Sequence, residues 1–291
     1  MIKSYIPRVA AVNDLSGFGR VSLTEAIPIM SAMGVEVCPL PTAILSTHTY
    51  KFEDYTFLDM TDEMEKIINH WSALGVHFDA VYTGYLGSAR QIELLTGFIK
   101  EVKQSGCTAI IDPVLGDNVL SDVETVYYDR MSDLLNAMRG FIGIADVITP
   151  NLTEACLLLG EKYPKNYLSV AELNSYMKRL SDMGPEKVVV TSVMTEENKM
   201  CVGIYDRSTD SCSAIDCGYV NRPFHGTGDI FAAVLTGALL RGKNIYKASE
   251  TAVGFVRRAI EETLKYTDIK TEHGVIFEKV LPELAADFKS C

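Results

Sequence analysis

The stretch SARQIELLTGFIKEVKQSGCTAIID, residues 88–112, holds the fold in miniature. Ile92, Leu95, Phe98, Ile99 and Val102 recur every three or four residues, which gathers them on one face of a helix, and Ser88 with Gln91 is spaced to cap its start. Ala109, Ile110 and Ile111 then form a short apolar run closed by Asp112, as in a strand buried on both faces. Residues 61–74 repeat the helical half. There Met64, Ile67, Ile68, Trp71 and Leu74 share a face, and Asp62 with Glu65 is spaced as a capping box. Further strands are expected near 8–13, 35–40, 78–83, 145–149, 187–192 and 200–205, and further helices over Glu154–Leu159, 228–241 and 245–266. Alternating strands and helices predict an α/β class with a mainly parallel central sheet. No repeat, low-complexity tract or Pro/Gly/Ser-rich linker divides the chain, so one domain over 1–291 is expected. The polar segment Gly203–Arg222 reads as a flap.

Composition narrows the function. The 291 residues are 47% hydrophobic and 22% charged, an ordinary globular balance at the upper size for one core. A formal net charge of −11 repels nucleic acid and anionic membranes, so any anion needs a local site. No apolar run is long enough for a membrane span, and Met1 to Val12 lacks a signal-peptide pattern, which predicts a cytoplasmic protein. The seven cysteines, odd in number and without a C-x-x-C pair, read as reduced core residues. His70, Trp71 and His77 read as packing or surface groups, and Met30 to Met33 as core.

The strongest chemical signal is His225-Gly226-Thr227-Gly228-Asp229, followed by the apolar run Ile230 to Leu235. Glycines let a ligand approach the backbone, and the helix that follows aims free N–H groups and its positive dipole end at the same point. That makes an anion hole with Asp229 in the first helical turn, a place a carboxylate also favours for the dipole alone. Asp112-Pro113-Val114-Leu115-Gly116-Asp117 puts two carboxylates at a buried strand's end, where a hydrated Mg²⁺ is a natural counter-charge and a plain turn is the simpler alternative. Thr149-Pro150-Asn151-Leu152-Thr153-Glu154 opens a helix; Asn151 or Thr153 can cap it, and Asn151 and Glu154 can face the crevice at the strand ends. Thr191-Ser192 ends another strand with hydroxyls able to reach a phosphate. After the first strand, Asn13-Asp14-Leu15-Ser16-Gly17-Phe18-Gly19 has Ser22 where a dinucleotide fingerprint needs its third glycine, and no P-loop occurs anywhere.

Together these motifs, in this order from Val9 to Leu235, resemble the ribokinase superfamily and within it the pyridoxal kinase branch. Leu45-Ser46-Thr47-His48-Thr49 is similar to that family's substrate loop and Thr83-Gly84-Tyr85 to its second substrate contact. The resemblance implies a three-layer α/β/α fold and an ATP-dependent kinase making the 5′-phosphate of pyridoxal, pyridoxine or pyridoxamine. It implies a homodimer using Mg²⁺ and a monovalent cation such as K⁺. By position, Asp229 is then the base, and the amides of Gly226, Thr227 and Gly228 hold the transferring phosphoryl group. Asp112, Thr149 and Glu154 fall in the cation region, Asp117, Asn151, Thr191, Ser192 and Thr227 toward the nucleotide, and Asp14, His48, Thr49 and Tyr85 around the pyridine ring. Asp14 stands where many pyridoxal kinases have serine, an arrangement closer to hydroxymethylpyrimidine kinases and one that attracts an amine-bearing substrate. Hydroxymethylpyrimidine kinases are the nearest alternative, but there a cysteine usually stands where this chain has Asp229. A regulator binding ATP and a vitamer without turnover is an alternative of another class, and would need no base.

Overall fold

In a computed structural model, which describes residues 6–115, 128–196, 199–218 and 224–289, the alternation becomes one nine-stranded sheet covered by helices on both faces. The elements in chain order are β1 (Arg8–Phe18), α1 (Ser22–Ala32), β2 (Glu36–Thr47), β3 (Phe57–Asp59), α2 (Thr61–Ala73), β4 (Ala80–Thr83), α3 (Ala89–Lys103), β5 (Thr108–Ile111), α4 (Tyr128–Ile142), β6 (Val147–Ile148), α5 (Leu152–Leu159), α6 (Val170–Asp182), β7 (Lys187–Glu196), β8 (Lys199–Asp206), β9 (Ser211–Asp216), α7 (Thr227–Leu240), α8 (Ile245–Thr263) and α9 (Leu281–Asp287).

The strand order is β3-β2-β1-β4-β5-β6-β7-β8-β9. β2, β1, β4, β5, β6 and β7 are parallel to one another, while β3 pairs antiparallel with β2 at one edge and β8 with β7 and β9 with β8 at the other. Successive side chains leave a strand on opposite faces, so β1 builds two cores. Val9 and Ala11 pack with Leu23 and Ile29 of α1, Val234 of α7 and Phe255 of α8. Ala10 and Val12 pack on the other face with Met64 of α2, Leu95 and Ile99 of α3 and Leu173 of α6. This is why the inner strands read as unbroken apolar runs. The chain leaves β1 to one side, for β2, and later returns on the other side as β4, so the order reverses between β1 and β4. A crevice opens there beyond the strands' carboxyl ends, the usual ligand position in such sheets.

Four expectations need correction. Gly203 to Asp206 completes β8 and Ser211–Asp216 is β9, so most of the expected flap is a sheet edge, and its residues 219–222 lie outside the described ones. Its polar sequence reflects an exposed edge, which needs backbone pairing rather than burial. The Asp62–Glu65 capping box does not form. α2 starts at Thr61 with Met60 as its N-cap, two positions before Asp62, Asp59 Oδ1 accepts the Thr61 amide at 2.7 Å, and Asp62 pairs with Arg90 at 3.0 Å. β1 and β2 also outrun their apolar cores: after a register shift between Asn13 and Leu15 they continue to Phe18 and Thr47, over the crevice. The strand expected at 145–149 shortens to Val147–Ile148. The Ser88 cap stands, with its side chain accepting from the Gln91 amide, and Trp71 packs on Phe78 and Phe98. Cys38, Cys107, Cys156, Cys201, Cys212 and Cys217 are free, and no described helix is long and apolar enough to cross a membrane.

Candidate active site

The crevice is a cavity of about 350 Å³ whose floor is set by the start of α7. Gly226 is the N-cap of α7 and has φ +82°, a left-handed backbone that glycine adopts without penalty. A β-carbon there would lie 2.3 Å from the Arg20 carbonyl oxygen and 3.0 Å from Glu25 Oε2, so the turn has room for glycine alone. Asp229 follows in the first turn of α7, half-buried, and lines the cavity with Gly226 and Gly228. From β1, Asn13 donates through Nδ2 to Asp229 Oδ1 at 3.1 Å. The first turn of a helix favours a negative charge, and the amide adds a directed hydrogen bond to it.

Asp14, next along β1, is buried and held by two hydroxyls: Ser16 donates to Oδ2 at 2.7 Å and Ser22 to Oδ1 at 2.6 Å. Ser22 takes φ +54° to do so, a costly conformation for a residue with a β-carbon. Tyr85, two residues after β4, and Asp14 both border the cavity. His48 uses both ring nitrogens: Nδ1 accepts the Tyr50 amide at 3.2 Å, and Nε2 therefore carries the proton that meets the Glu272 carbonyl at 2.6 Å. Its ring stacks on His225 with centroids 4.4 Å apart, and Tyr50 stacks on the same histidine at 5.1 Å. The result is a stack of three aromatic rings, of which His48 and His225 border the cavity.

On the other side, Thr149 donates to Asp112 Oδ1 at 2.9 Å. Burial first, and the charge of Asp229 second, push the Asp112 carboxyl up to about 8. Glu25, beneath the Gly226 turn, is held well above the usual carboxylate range by its burial and by Asp229, and the Tyr82 hydroxyl is raised by the same causes. Asp112, Asp229 and Glu25 thus crowd negative charge at one low-dielectric place, which calls for a cation. Asn151, one of the two expected caps, is the N-cap of α5, and Glu154 completes a capping box with it, accepting from the Asn151 amide at 2.9 Å while its other oxygen accepts the Leu115 amide at 3.1 Å. Among the described residues no group of three or more His, Cys, Asp or Glu is arranged to hold a metal alone. An oxygen set of Asp112, Thr149 and Glu154 suits an ion that keeps water or substrate phosphates among its ligands.

Most of the sites expected from sequence meet here. Asp14, His48, Thr49, Tyr85, Asp112 and Thr149 line the cavity, as do Asn151, Glu154, Thr191, Gly226, Gly228 and Asp229. Thr227 and Ser192 do not border it. Thr227 turns its hydroxyl to the Phe224 carbonyl at 3.3 Å, and Ser192, at φ +58°, sits where β7 and β8 shift register. Asp117 lies outside the described residues.

The model of the phosphomethylpyrimidine kinase family matches residues 27–275. The chain belongs to that family. The bovine (Bos taurus) pyridoxal kinase is 29% identical over 285 residues, spanning 92% of this chain and 89% of its own. A Bacteroides thetaiotaomicron protein whose crystals contain pyridoxal superposes with a TM-score of 0.88 at 44% identity, over 96% of each chain. Pyridoxal kinase from Lactobacillus plantarum gives 0.85 at 28% identity, over 97% of this chain and 98% of its own. For a member of the phosphomethylpyrimidine kinase family, the site holds three residues that sequence reasoning left unassigned: Asn13, Ser22 and Glu25. Asn13 carried a usable signal, a polar residue closing the apolar run Val9 to Val12, as Asp112 closes its own. Ser22 and Glu25 carried none, because only tertiary packing brings Ser22 to Asp14 on β1 and, through α1 against α7, Glu25 to the Gly226 turn.

Proposed function

We propose that this protein transfers the γ-phosphoryl group of ATP to the 5′-hydroxyl of a vitamin B6 vitamer, giving the 5′-phosphate and ADP. One observation carries the reading: Asp229 stands at the N-terminus of α7 in the same cavity as Asp14, His48 and Tyr85. The relatives named pyridoxal kinase and the neighbour crystallised with pyridoxal support it. The vitamer ring lies against His48, Thr49 and Tyr85, and its 5′-hydroxyl faces Asp229. Asp229 accepts the hydroxyl proton as the oxygen bonds to the γ-phosphorus and the bond to the β-phosphate oxygen breaks. The amides of Gly226, Thr227 and Gly228, with the α7 dipole behind them, meet the charge on the transferring group. Phosphoryl transfer needs little covalent help, so positioning and charge stabilisation supply most of the acceleration. Asp112, Thr149 and Glu154 would hold Mg²⁺, which neutralises phosphate charge, and a monovalent cation such as K⁺ belongs to the same reading. Asn151 and Thr191, joined by a backbone bridge, are assigned to the nucleotide, as are Ser192 and the Thr227 amide; Asp117, assigned with them, lies outside the described residues.

A homodimer and a cytoplasmic location complete the proposal. Ile44 and Leu58 are register partners on the β2–β3 edge and are 38% and 58% exposed, while Phe57 beside them is 47% exposed. Such an apolar edge suits a second copy of the chain. The free cysteines suit a reducing compartment. Hydroxymethylpyrimidine is the alternative substrate, favoured by the description of the family model. A coupled ATPase assay across pyridoxal, pyridoxine, pyridoxamine and hydroxymethylpyrimidine decides between them: turnover with the pyrimidine alone overturns the vitamer reading, and no turnover with any of the four overturns the kinase reading.

Two variants probe the parts of this site. Asp14→Ser removes a carboxylate that attracts a protonated amine and is indifferent to an alcohol, so the ratio of kcat/KM for pyridoxamine to that for pyridoxal should fall. An unmoved ratio would leave Asp14 as the acceptor of two serine hydroxyls and nothing more. Glu154→Gln keeps the size but leaves one acceptor oxygen where the carboxylate has two, so turnover should drop and part of it should return on raising Mg²⁺. Unchanged Mg²⁺ dependence would restrict Glu154 to capping α5.

A further inference from the structure

We infer that Asn13 is a positioning residue for catalysis, orienting Asp229 from the end of β1; the inference rests on Asp229 being the base. Three observations fix the amide. Its Oδ1 accepts two backbone N–H groups, Asp14 at 2.9 Å and Tyr85 at 2.8 Å, one from β1 itself and one from the segment after β4. With the oxygen so engaged, the orientation is settled and the NH₂ group must face Asp229 Oδ1, 3.1 Å away. The chain also clears space for this group: a β-carbon on Gly84 would lie 2.2 Å from Asn13 Nδ2. Asn13 is fully buried, so no water competes for the donor. The hydrogen bond ties up one oxygen of Asp229 and fixes the rotation of its carboxylate. Asn13 therefore joins β1, β4 and α7 at the point where the strand order reverses.

The test separates the two jobs of this side chain. Asn13→Asp keeps the shape and the oxygen that receives both backbone amides, but sets a carboxylate against Asp229. If the side chain only ties β1 to β4, the buried charge lowers the melting temperature but leaves kcat near the wild-type value. If it is a positioning residue, kcat should fall roughly tenfold to 10²-fold, while KM for ATP and for the vitamer stays within about threefold. The double variant Asn13→Asp/Asp229→Asn reverses the hydrogen bond, because the amide now at position 229 can donate to the carboxylate at position 13. It should melt above Asn13→Asp and turn over no more slowly than Asp229→Asn alone, since residues acting as a unit are non-additive. The double variant also serves if Asn13→Asp alone does not fold. Wild-type kcat in Asn13→Asp, or the same fractional loss in both backgrounds, overturns the inference. Near-normal turnover in Asp229→Asn instead overturns the base assignment itself, so the two failures are distinguishable.

Discussion

Asp229→Asn is expected to lower kcat by about 10²- to 10⁴-fold, the usual range for loss of a general base, with ATP affinity and melting temperature little changed. The substitution preserves shape. An asparagine in the first turn of α7 can still accept from Asn13 Nδ2, because its Oδ1 replaces the carboxylate oxygen that takes this bond at 3.1 Å. It also relieves some of the negative charge that Asp112 and Glu25 share with Asp229, so the folded state is not expected to suffer. What it removes is a proton acceptor facing the cavity. If Asp229 were only a favourable charge at a helix N-terminus, the variant would keep near-normal kcat at saturating substrates and show at most a small loss of stability. Measuring kcat and melting temperature on this one protein separates those outcomes, and near-normal turnover sinks the mechanism.

Gly226→Ala should fail for a different reason and on two scales. The left-handed backbone at φ +82° costs a residue with a β-carbon about 1–2 kcal/mol. The new methyl would also lie 2.3 Å from the Arg20 carbonyl oxygen and about as far as a tight contact allows from both Glu25 oxygens, at 3.0 and 3.1 Å. Overpacking of this kind typically adds about 1–3 kcal/mol. The turn can relieve it only by moving, and moving it misaligns the amides proposed to meet the transferring phosphoryl group. Loss of one such donor typically costs about 10²- to 10³-fold in kcat. The variant should therefore melt lower and turn over at least 10²-fold more slowly than the wild type. Gly228→Ala is the internal comparison, because its β-carbon meets nothing within 4 Å and its melting temperature should hold. A Gly226→Ala protein with wild-type kcat would show that these amides do not serve the reaction.

The apolar periodicities predicted the α/β class correctly because each inner strand and each helix must bury a face, and a buried face is written locally as a spacing of side chains. Asn151–Glu154 and Ser88–Gln91 were legible for the same reason: a helix start is satisfied by residues three positions away. Edges were not. β3 and β9 are short or polar strands whose existence depends on the pairing offered by β2 and β8, which no local pattern records. The extensions of β1 and β2 over the crevice belong to the same class.

The site divides likewise. The sequence by itself determined the pieces that sit at the ends of elements, namely the glycine turn with Asp229, the Asp112 strand end and the Asn151 cap, because a turn, a strand end and a helix start each demand particular residues nearby. Only the tertiary structure decided that these ends share one cavity, that Glu25 lies under Gly226, and that Asn13 reaches Asp229 across 216 positions of chain. The physical reason is that strand order is a property of the sheet: once β4 takes its place beside β1 on the side away from β2, residues far apart in the chain end at the same crevice.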